Sequence, residues 1–209
     1  MNAPRFGYNA PMTTTLLPPP STRVRTAWPR LLTAADLAKF PTSLPDGDVR
    51  YELDDGVLVV MAPPGGDHGR KQNKVCVLLT NEAESKGLGH AYGEVGIVLR
   101  RGPDRVPGAD AAFLTADQLP ARYTREGYLE TIPKLVVEIR SKNDATPEIE
   151  SKVGEYLAAG VVEVWVLDPD LQTIAKHRLD GVRTFGSGET LASDLLPDFN
   201  VPVALFFAD

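Results

Sequence analysis

The second half of the chain contains an apolar strand, an amphipathic helix and another apolar strand in succession, and this order constrains the fold most strongly. The strands are predicted at Lys134–Arg140 and Val161–Leu167, and the helix runs from Pro147 to Ala159, where Gly160 ends it. Strands joined through a helix pair in parallel. The pattern therefore predicts a sheet that contains a parallel pair and carries helices on its faces.

The first half of the chain predicts antiparallel pairing. Val49–Leu53 and Val57–Met61 flank the dipeptide Asp55-Gly56, a favoured hairpin turn. Two helices are predicted, one from Thr33 to Lys39 and a longer one that Asp67 caps and Gly87 ends. Further strands are predicted at Gly96–Arg100, Asp110–Leu114, Thr173–Leu179 and Val182–Phe185. The expected fold class is therefore α/β or α+β, with a mixed sheet, an N-terminal antiparallel hairpin and flanking helices.

The N-terminal segment differs in composition from the rest of the 209 residues. Residues 1–30 hold six of the 18 prolines and show no periodicity that could bury a face. Four of the 22 basic residues and none of the 28 acidic residues lie within 1–35, which leaves the remainder with a net charge of −10. We expect 1–30 to be a flexible tail and 31–209 a single domain. A translation start at Met12 or later is an alternative, whereas the prolines oppose a transit peptide.

Several common classes of site are excluded by a missing residue. The chain has no GxxxxGK[ST] phosphate loop, no GxGxxG fingerprint, no GxSxG elbow and no HExxH zinc motif. Its single cysteine, Cys76, forms no intramolecular disulfide, and no apolar run approaches the roughly 20 residues of a membrane span. A soluble, cytoplasmic protein is therefore expected.

Carboxylates at the ends of apolar strands remain as candidates for chemistry. Asp110 precedes Ala-Ala-Phe-Leu, and Glu138 follows Leu-Val-Val. Burying such a group is costly unless it is paired or metal-bound, and oxygen ligands suit a hard divalent cation. Arg140 shares a face with Glu138, and Lys152 on the next helix could reach the same pocket. An edge charge at Glu138, a turn at Asp110 and a Glu148–Lys152 surface pair are the structural alternatives.

The ordered residues resemble the Uma2 family of restriction-endonuclease-like proteins. The resemblance covers about residues 33–207 and is carried by Tyr51-Glu52-Leu53 with Asp55-Gly56, Pro63-Pro64, His68, Asp110-Ala-Ala-Phe-Leu, Lys134–Ser141, Lys152, Tyr156, Ala159-Gly160-Val161, Glu163, Trp165 and Val166-Leu167-Asp168-Pro169. Such proteins look like members of the PD-(D/E)xK nuclease superfamily, whose core is a mixed sheet with metal-binding carboxylates on two adjacent strands.

The resemblance implies a role for each matched residue. Asp110, Glu138 and the carbonyl of Ile139 would hold Mg²⁺ or Mn²⁺. Lys152 would replace the usual lysine, whose place Arg140 occupies, and Glu52 would complete the metal shell or a second site. Substrate contacts are expected for three residues, namely Arg140, Tyr156 and His68, with core packing against the sheet as the alternative for Tyr156. Ala109 departs from the family proline before the aspartate, and residues 142–144 depart from the usual Pro-Ser.

A metal-dependent endonuclease acting on DNA is the function that these residues favour. The acidic body would then need either help from the arginines of the N-terminal tail or a local basic groove, for which the candidates are Lys71, Lys74, Arg100, Arg101 and Arg105. A nuclease fold kept as a binding or assembly module, and a hydrolase of a small phosphoester, are the competing hypotheses. A homodimer is expected, and the apolar segment Val201–Phe207 is either a subunit contact or a closing element of the core.

Overall fold

A computed structural model describes residues 24–26, 30–45, 47–119, 127–141 and 145–208. The strands are β1 (Val24–Thr26), β2 (Ser43–Leu44), β3 (Gly47–Asp48), β4 (Arg50–Asp54), β5 (Val57–Met61), β6 (Gly89–Gly96), β7 (Gly108–Thr115), β8 (Leu135–Ile139), β9 (Glu163–Asp168), β10 (Thr173–Arg178), β11 (Gly181–Gly186), β12 (Thr190–Ala192) and β13 (Asn200–Pro202). The α-helices are α1 (Ala34–Leu37), α2 (Gly66–Glu82), α3 (Thr146–Ala159) and α4 (Ala204–Phe207), and short 3-10 helices span Glu84–Lys86 and Ala116–Gln118.

The main sheet has six strands in the order β11-β10-β9-β8-β7-β6. The pair β8–β9 is parallel, and the other four pairs of neighbouring strands in this sheet are antiparallel. The helix α3 connects the two parallel strands, and its end at Gly160 has a φ of +108°, which favours glycine. The mixed sheet and its strand-helix-strand unit confirm the predicted fold class.

Two cores cover the two faces of this sheet. On one face, Val75 and Leu79 of α2 pack with Phe113 and Trp165 of the sheet, and the C-terminal segment completes the cluster. On the other face, Val153 of α3 packs with the alternate residues of the same strands, whose side chains point to that side. Each helix thus buries one apolar stripe against one face of the sheet.

A separate three-stranded sheet, in the order β1-β5-β4, packs with α1 around a third cluster. The β4–β5 turn has positive φ at both Asp55 (53°) and Gly56 (77°), as expected for the Asp-Gly hairpin signal. The backbones of Leu53 and Val106 exchange hydrogen bonds of 3.0 and 2.9 Å. This bridge fixes β4 beside the chain that leads into β7, and so sets where side chains of the small sheet meet the main one.

Several predicted boundaries were wrong. The strand predicted at Gly96–Arg100 lies earlier, at Gly89–Gly96, because glycines weaken the strand signal while packing requires them. A Cβ on Gly89 would come within 2.0 Å of the Leu114 carbonyl oxygen. The helix α2 begins at Gly66 with Gly65 as its cap, so Asp67 lies in its first turn and does not cap it.

The two chain ends also refine the predictions. The strand β1 pairs with β5 inside the segment expected to be a flexible tail, so that assignment does not hold for Val24–Thr26, while 1–23 lie outside the described residues. At the other end, Val201, Val203 and Phe206 are buried in the main core. The apolar C-terminal segment is therefore a closing element of the core, the second of the two alternatives.

Candidate active site

The central carboxylates lie at the edge where β7 and β8 stop pairing. The last ladder pair there is Ala111–Val137, and Asp110 and Glu138 are the next residue on each strand. Glu138 has the same parity as Val136, which packs in the core beneath α3. A cleft of about 1010 Å³ opens at this edge, and both carboxylates line it.

Two contacts from different elements hold the Asp110 carboxylate. Its Oδ1 lies 2.8 Å from Nε2 of His68 on α2, and its Oδ2 accepts a 2.7 Å hydrogen bond from the Ile139 backbone N–H. Burial alone would raise the pKa of Asp110, but these contacts and the Lys152 charge hold the pKa below its ordinary value. Asp110 is therefore a carboxylate at neutral pH.

Glu138 contacts two residues one turn apart on α3. Lys152 Nζ lies 2.9 Å from its carboxylate, and the Tyr156 hydroxyl donates a 2.8 Å hydrogen bond to Oε1. Burial, reinforced by the charge of Asp110, nevertheless raises the pKa of Glu138 to about 7. The two acids therefore lie in surroundings that move their pKa values in opposite directions, a property common in functional sites.

Lys152 and Glu52 close the inner end of the cleft. Lys152 Nζ donates a 2.7 Å hydrogen bond to the Gly108 carbonyl and lies 3.8 Å from Glu52 Oε1. Glu52, whose side chain is 2 % exposed, accepts a 2.9 Å hydrogen bond from the Gly108 N–H. The cleft thus brings together four predicted site residues, Asp110, Glu138, Lys152 and Glu52, from both sheets and from α3.

The predicted substrate-contact residues divide into two groups. His68 and Arg140 line the cleft, where Arg140 also pairs with Asp168 at 3.4 Å. Tyr156 was expected to contact the substrate, but its side chain is completely buried. Burial and the Glu138 charge raise the pKa of Tyr156 well above 10, so that its hydroxyl stays a hydrogen-bond donor. In this arrangement Tyr156 orients Glu138 and does not reach the cleft.

Two residues of the site were missed by the sequence analysis. Arg50 lines the cleft and pairs with Glu94, and burial lowers its pKa despite three nearby carboxylates. It lies two positions before Glu52 on β4, so strand alternation could have placed it on the same face. Gln72 donates a 2.9 Å hydrogen bond to the Asp110 carbonyl oxygen, and this contact has no signal in the sequence.

The side chains that line the cleft include possible ligands for a metal ion. Among the described residues, no three histidine, cysteine or carboxylate side chains already converge on one point. The chemistry of the donors nevertheless fits a hard divalent cation, because Asp110 and Glu138 offer carboxylate oxygens on adjacent strands. Burial is the main reason that the pKa of Glu138 is raised, with the Asp110 charge adding to it, and the charge of a bound cation would oppose both effects.

Comparisons with known proteins agree with this architecture. A model of the family Uma2, described as "Putative restriction endonuclease", matches residues 37–204. A crystal structure from Anabaena variabilis, described as a "putative nuclease belonging to DUF820", superimposes with a TM-score of 0.68 and 16% identity, covering 85% of this chain and 98% of that one. The search of curated proteins gives no significant match. In the described segments, no helix combines the length and apolar character needed to cross a membrane. The chain belongs to the Uma2 family.

Proposed function

We propose that the protein is a metal-dependent endonuclease that hydrolyses phosphodiester bonds in DNA. The observation that carries this proposal is the convergence of Asp110 and Glu138, from adjacent strands, with Lys152 in one cleft. Membership of a family described as restriction endonucleases supports it. The net charge of −6 makes an acid-lined cleft unfavourable for a phosphodiester unless a cation is bound there.

The side chains of Asp110 and Glu138, with the carbonyl of Ile139, would hold Mg²⁺ or Mn²⁺. Such an ion, when bound, lowers the pKa of a water molecule and neutralises charge on a phosphate. The contacts of His68 and the Ile139 N–H keep Asp110 ionised and fixed. The Tyr156 hydroxyl holds Oε1 of Glu138 in place. Glu52 positions Lys152 and the Gly108 backbone.

Lys152 supplies the positive charge that the reaction needs. Its ammonium lies against Glu138 and the Gly108 carbonyl before a substrate arrives. Negative charge that develops on the phosphate oxygens would be stabilised by this group at little cost in reorganisation. In the overall reaction a water molecule adds its oxygen to phosphorus, the P–O bond to the leaving sugar oxygen breaks, and that oxygen takes up a proton.

A second function, hydrolysis of a small phosphoester, is favoured by the charge of the cleft. In the described part of the chain, every lysine or arginine that lines the cleft is paired with a carboxylate: Arg50 with Glu94, Lys71 with Asp67, Arg140 with Asp168, and Lys152 with Glu138. Of the five candidates for a basic groove, Lys71 lines the cleft and is paired there, while Arg100, Arg101 and Arg105 pair with acidic residues elsewhere.

Calorimetric titration of Mn²⁺, with plasmid nicking and hydrolysis of bis(4-nitrophenyl) phosphate in parallel, tests the proposal. Asp110→Asn and Glu138→Gln should abolish both binding and hydrolysis, because each removes a charged ligand. Asp117→Asn is the matched control, since Asp117 is exposed and pairs with Lys134. The endonuclease is supported if the wild-type protein nicks the plasmid and Asp117→Asn keeps Mn²⁺ binding, nicking and hydrolysis of the small diester. Hydrolysis of the small diester without nicking would favour the second function, and no Mn²⁺ binding would refute both.

A further inference from the structure

Three basic side chains stand apart from the others in their pairing. Almost every described lysine and arginine forms an ion pair, and within the described residues the exceptions are Lys39, Arg70 and Lys74. Two of these exceptions, Arg70 and Lys74, lie one turn apart on α2. Positions four apart lie on the same side of a helix. The unpaired positive charge of the described chain is therefore concentrated on one helix.

The middle of α2 carries no acidic residue: Asp67, in the first turn, pairs with Lys71, and Glu82 is the last residue of the helix. From His68 to Asn81 the sequence of α2 contains three basic residues and no aspartate or glutamate. Its buried side is formed by Gln72, Val75 and Leu79. We call the opposite side the α2 outer face; it consists of the half-buried Lys74 and the exposed residues Asp67, Arg70, Asn73, Val77, Thr80 and Asn81. Amide and hydroxyl groups are, with lysine and arginine, the usual donors to nucleic-acid phosphates.

This face is continuous with the cleft. His68 and Lys71 lie in the first two turns of α2 and line the cleft, and His68 contacts the carboxylate of Asp110. Arg70 adjoins both in sequence but is exposed on the outer side. A polyanion bound along the outer face can therefore extend past the start of α2 to the carboxylates.

We propose that the α2 outer face binds the phosphate backbone of the DNA that the cleft cleaves, an inference that rests on the proposed function. Charge complementarity identifies the occupant, because the chain has a net charge of −6 and yet, within its described part, Arg70 and Lys74 are neighbouring cations without a carboxylate partner. A second copy of the chain is opposed by the same feature. Two such faces packed on each other would bring like charges together, and burying Lys74 without a partner is unfavourable.

The test measures binding of a duplex oligonucleotide of about 20 base pairs to the full chain by fluorescence anisotropy, in EDTA, between 50 and 200 mM NaCl. Lys74→Ala should reduce the slope of log K against log salt by about 0.9, and Arg70→Ala with Lys74→Ala by about twice that amount. Lys39→Ala is the matched control, because it also removes one lysine charge that has no carboxylate partner, at an exposed position outside α2. It should leave the slope unchanged.

Three results would overturn the proposal. In the anisotropy test these are equal slope changes in Lys39→Ala and Lys74→Ala, or no salt-dependent binding by the wild-type protein. The third is a lower sedimentation coefficient in Lys74→Ala, which would identify the face as a subunit contact. Hydrolysis of bis(4-nitrophenyl) phosphate with Mn²⁺, assayed in the same variants, should stay at the wild-type rate. Failure of the wild-type protein in that assay refutes the chemistry of the cleft, whereas failure of the slope test refutes only the α2 outer face.

Discussion

Two buried glutamates on neighbouring parallel strands have opposite surroundings. Glu163 begins β9, faces the same core as Trp165, and is completely buried. Three donors reach its carboxylate: Trp165 Nε1 at 3.0 Å, Ser193 Oγ at 2.9 Å and Arg178 at 3.2 Å. Glu138, near the end of β8, lies on the other face and lines the cleft beside a second acid.

The difference shows how burial of an acid can serve two purposes. Glu163 is enclosed by neutral and cationic donors that satisfy it, so its contacts connect β9, β10 and the residue that follows β12. Glu138 is held by Lys152 and Tyr156, yet burial and Asp110 still raise its pKa to about 7. An acid that is costly to ionise, and that also faces a cleft, is a candidate for binding a cation.

The largest expected effect is on the rate of hydrolysis when a carboxylate of the cleft is replaced. Asp110→Asn should lower the rate of phosphodiester hydrolysis at least about a hundredfold, since loss of a group that merely orients a ligand already costs up to that amount. Glu163→Gln should leave the rate per folded molecule close to that of the wild type. Steady-state kinetics with Mn²⁺, normalised by the folded fraction from circular dichroism, measures both. A comparable loss of rate in Glu163→Gln would contradict the distinction between the enclosed Glu163 and the cleft that contains Glu138.

Stability should respond in the opposite order. Glu163→Ala should lower the free energy of unfolding by about 3 to 5 kcal/mol, because it leaves the buried Trp165 and Ser193 donors without that partner and removes one of the carboxylates that pair with Arg178. Glu138→Gln should cost far less in metal-free protein, since it removes a carboxylate that burial disfavours. Urea unfolding in EDTA compares the two variants. A larger loss in Glu138→Gln would contradict the comparison.

Removing one hydroxyl donor from each glutamate sharpens the contrast. Tyr156→Phe and Ser193→Ala each delete one hydrogen bond to a buried carboxylate, and each should cost about 1 to 3 kcal/mol of stability. Only Tyr156→Phe should also weaken Mn²⁺ binding, by about tenfold to a hundredfold, because it frees Glu138 to rotate. Calorimetric titration separates the two. Equal Mn²⁺ affinity in both variants would mean that Tyr156 has a packing role alone.

The smallest effect concerns pH and belongs to the strand beside Glu163. Burial lowers the pKa of His177 on β10 below 6.5, although Glu150 partly opposes this. A histidine with a depressed pKa binds its proton less tightly when folded, so stability should be full above pH 6.5 and decline as pH falls through that value. His177→Gln should flatten this decline in urea unfolding series. An unchanged profile would assign the pH response to other groups.

Much of the fold could be predicted because its signals are local. The turn at Asp55-Gly56, the cap at Thr33 and the stop at Gly160 each depend on a few neighbouring residues, and all three are present. The strand β6 was misplaced for the converse reason. Its glycines are required by close packing against β7, a contact that no local window reports.

The site was predicted only in part. Asp110 and Glu138 could be chosen as candidates because a carboxylate next to an apolar strand is conspicuous in any sequence. The burial of Tyr156, the donor from Gln72 and the entry of Arg50 into the cleft could not be derived in the same way. Each depends on which side of an element faces a partner distant in sequence.

Local pattern was enough to predict the parallel strand pair and the positions of the two strand-end carboxylates, because periodicity and turn chemistry depend on adjacent residues. Tertiary packing placed Glu163 inside the core and Glu138 at a cleft. It also decided which lysines and arginines are paired. Ladder register and sheet packing join residues such as Glu52 and Gly108, 56 positions apart, and these long-range choices set the burial and charge of every group at the site.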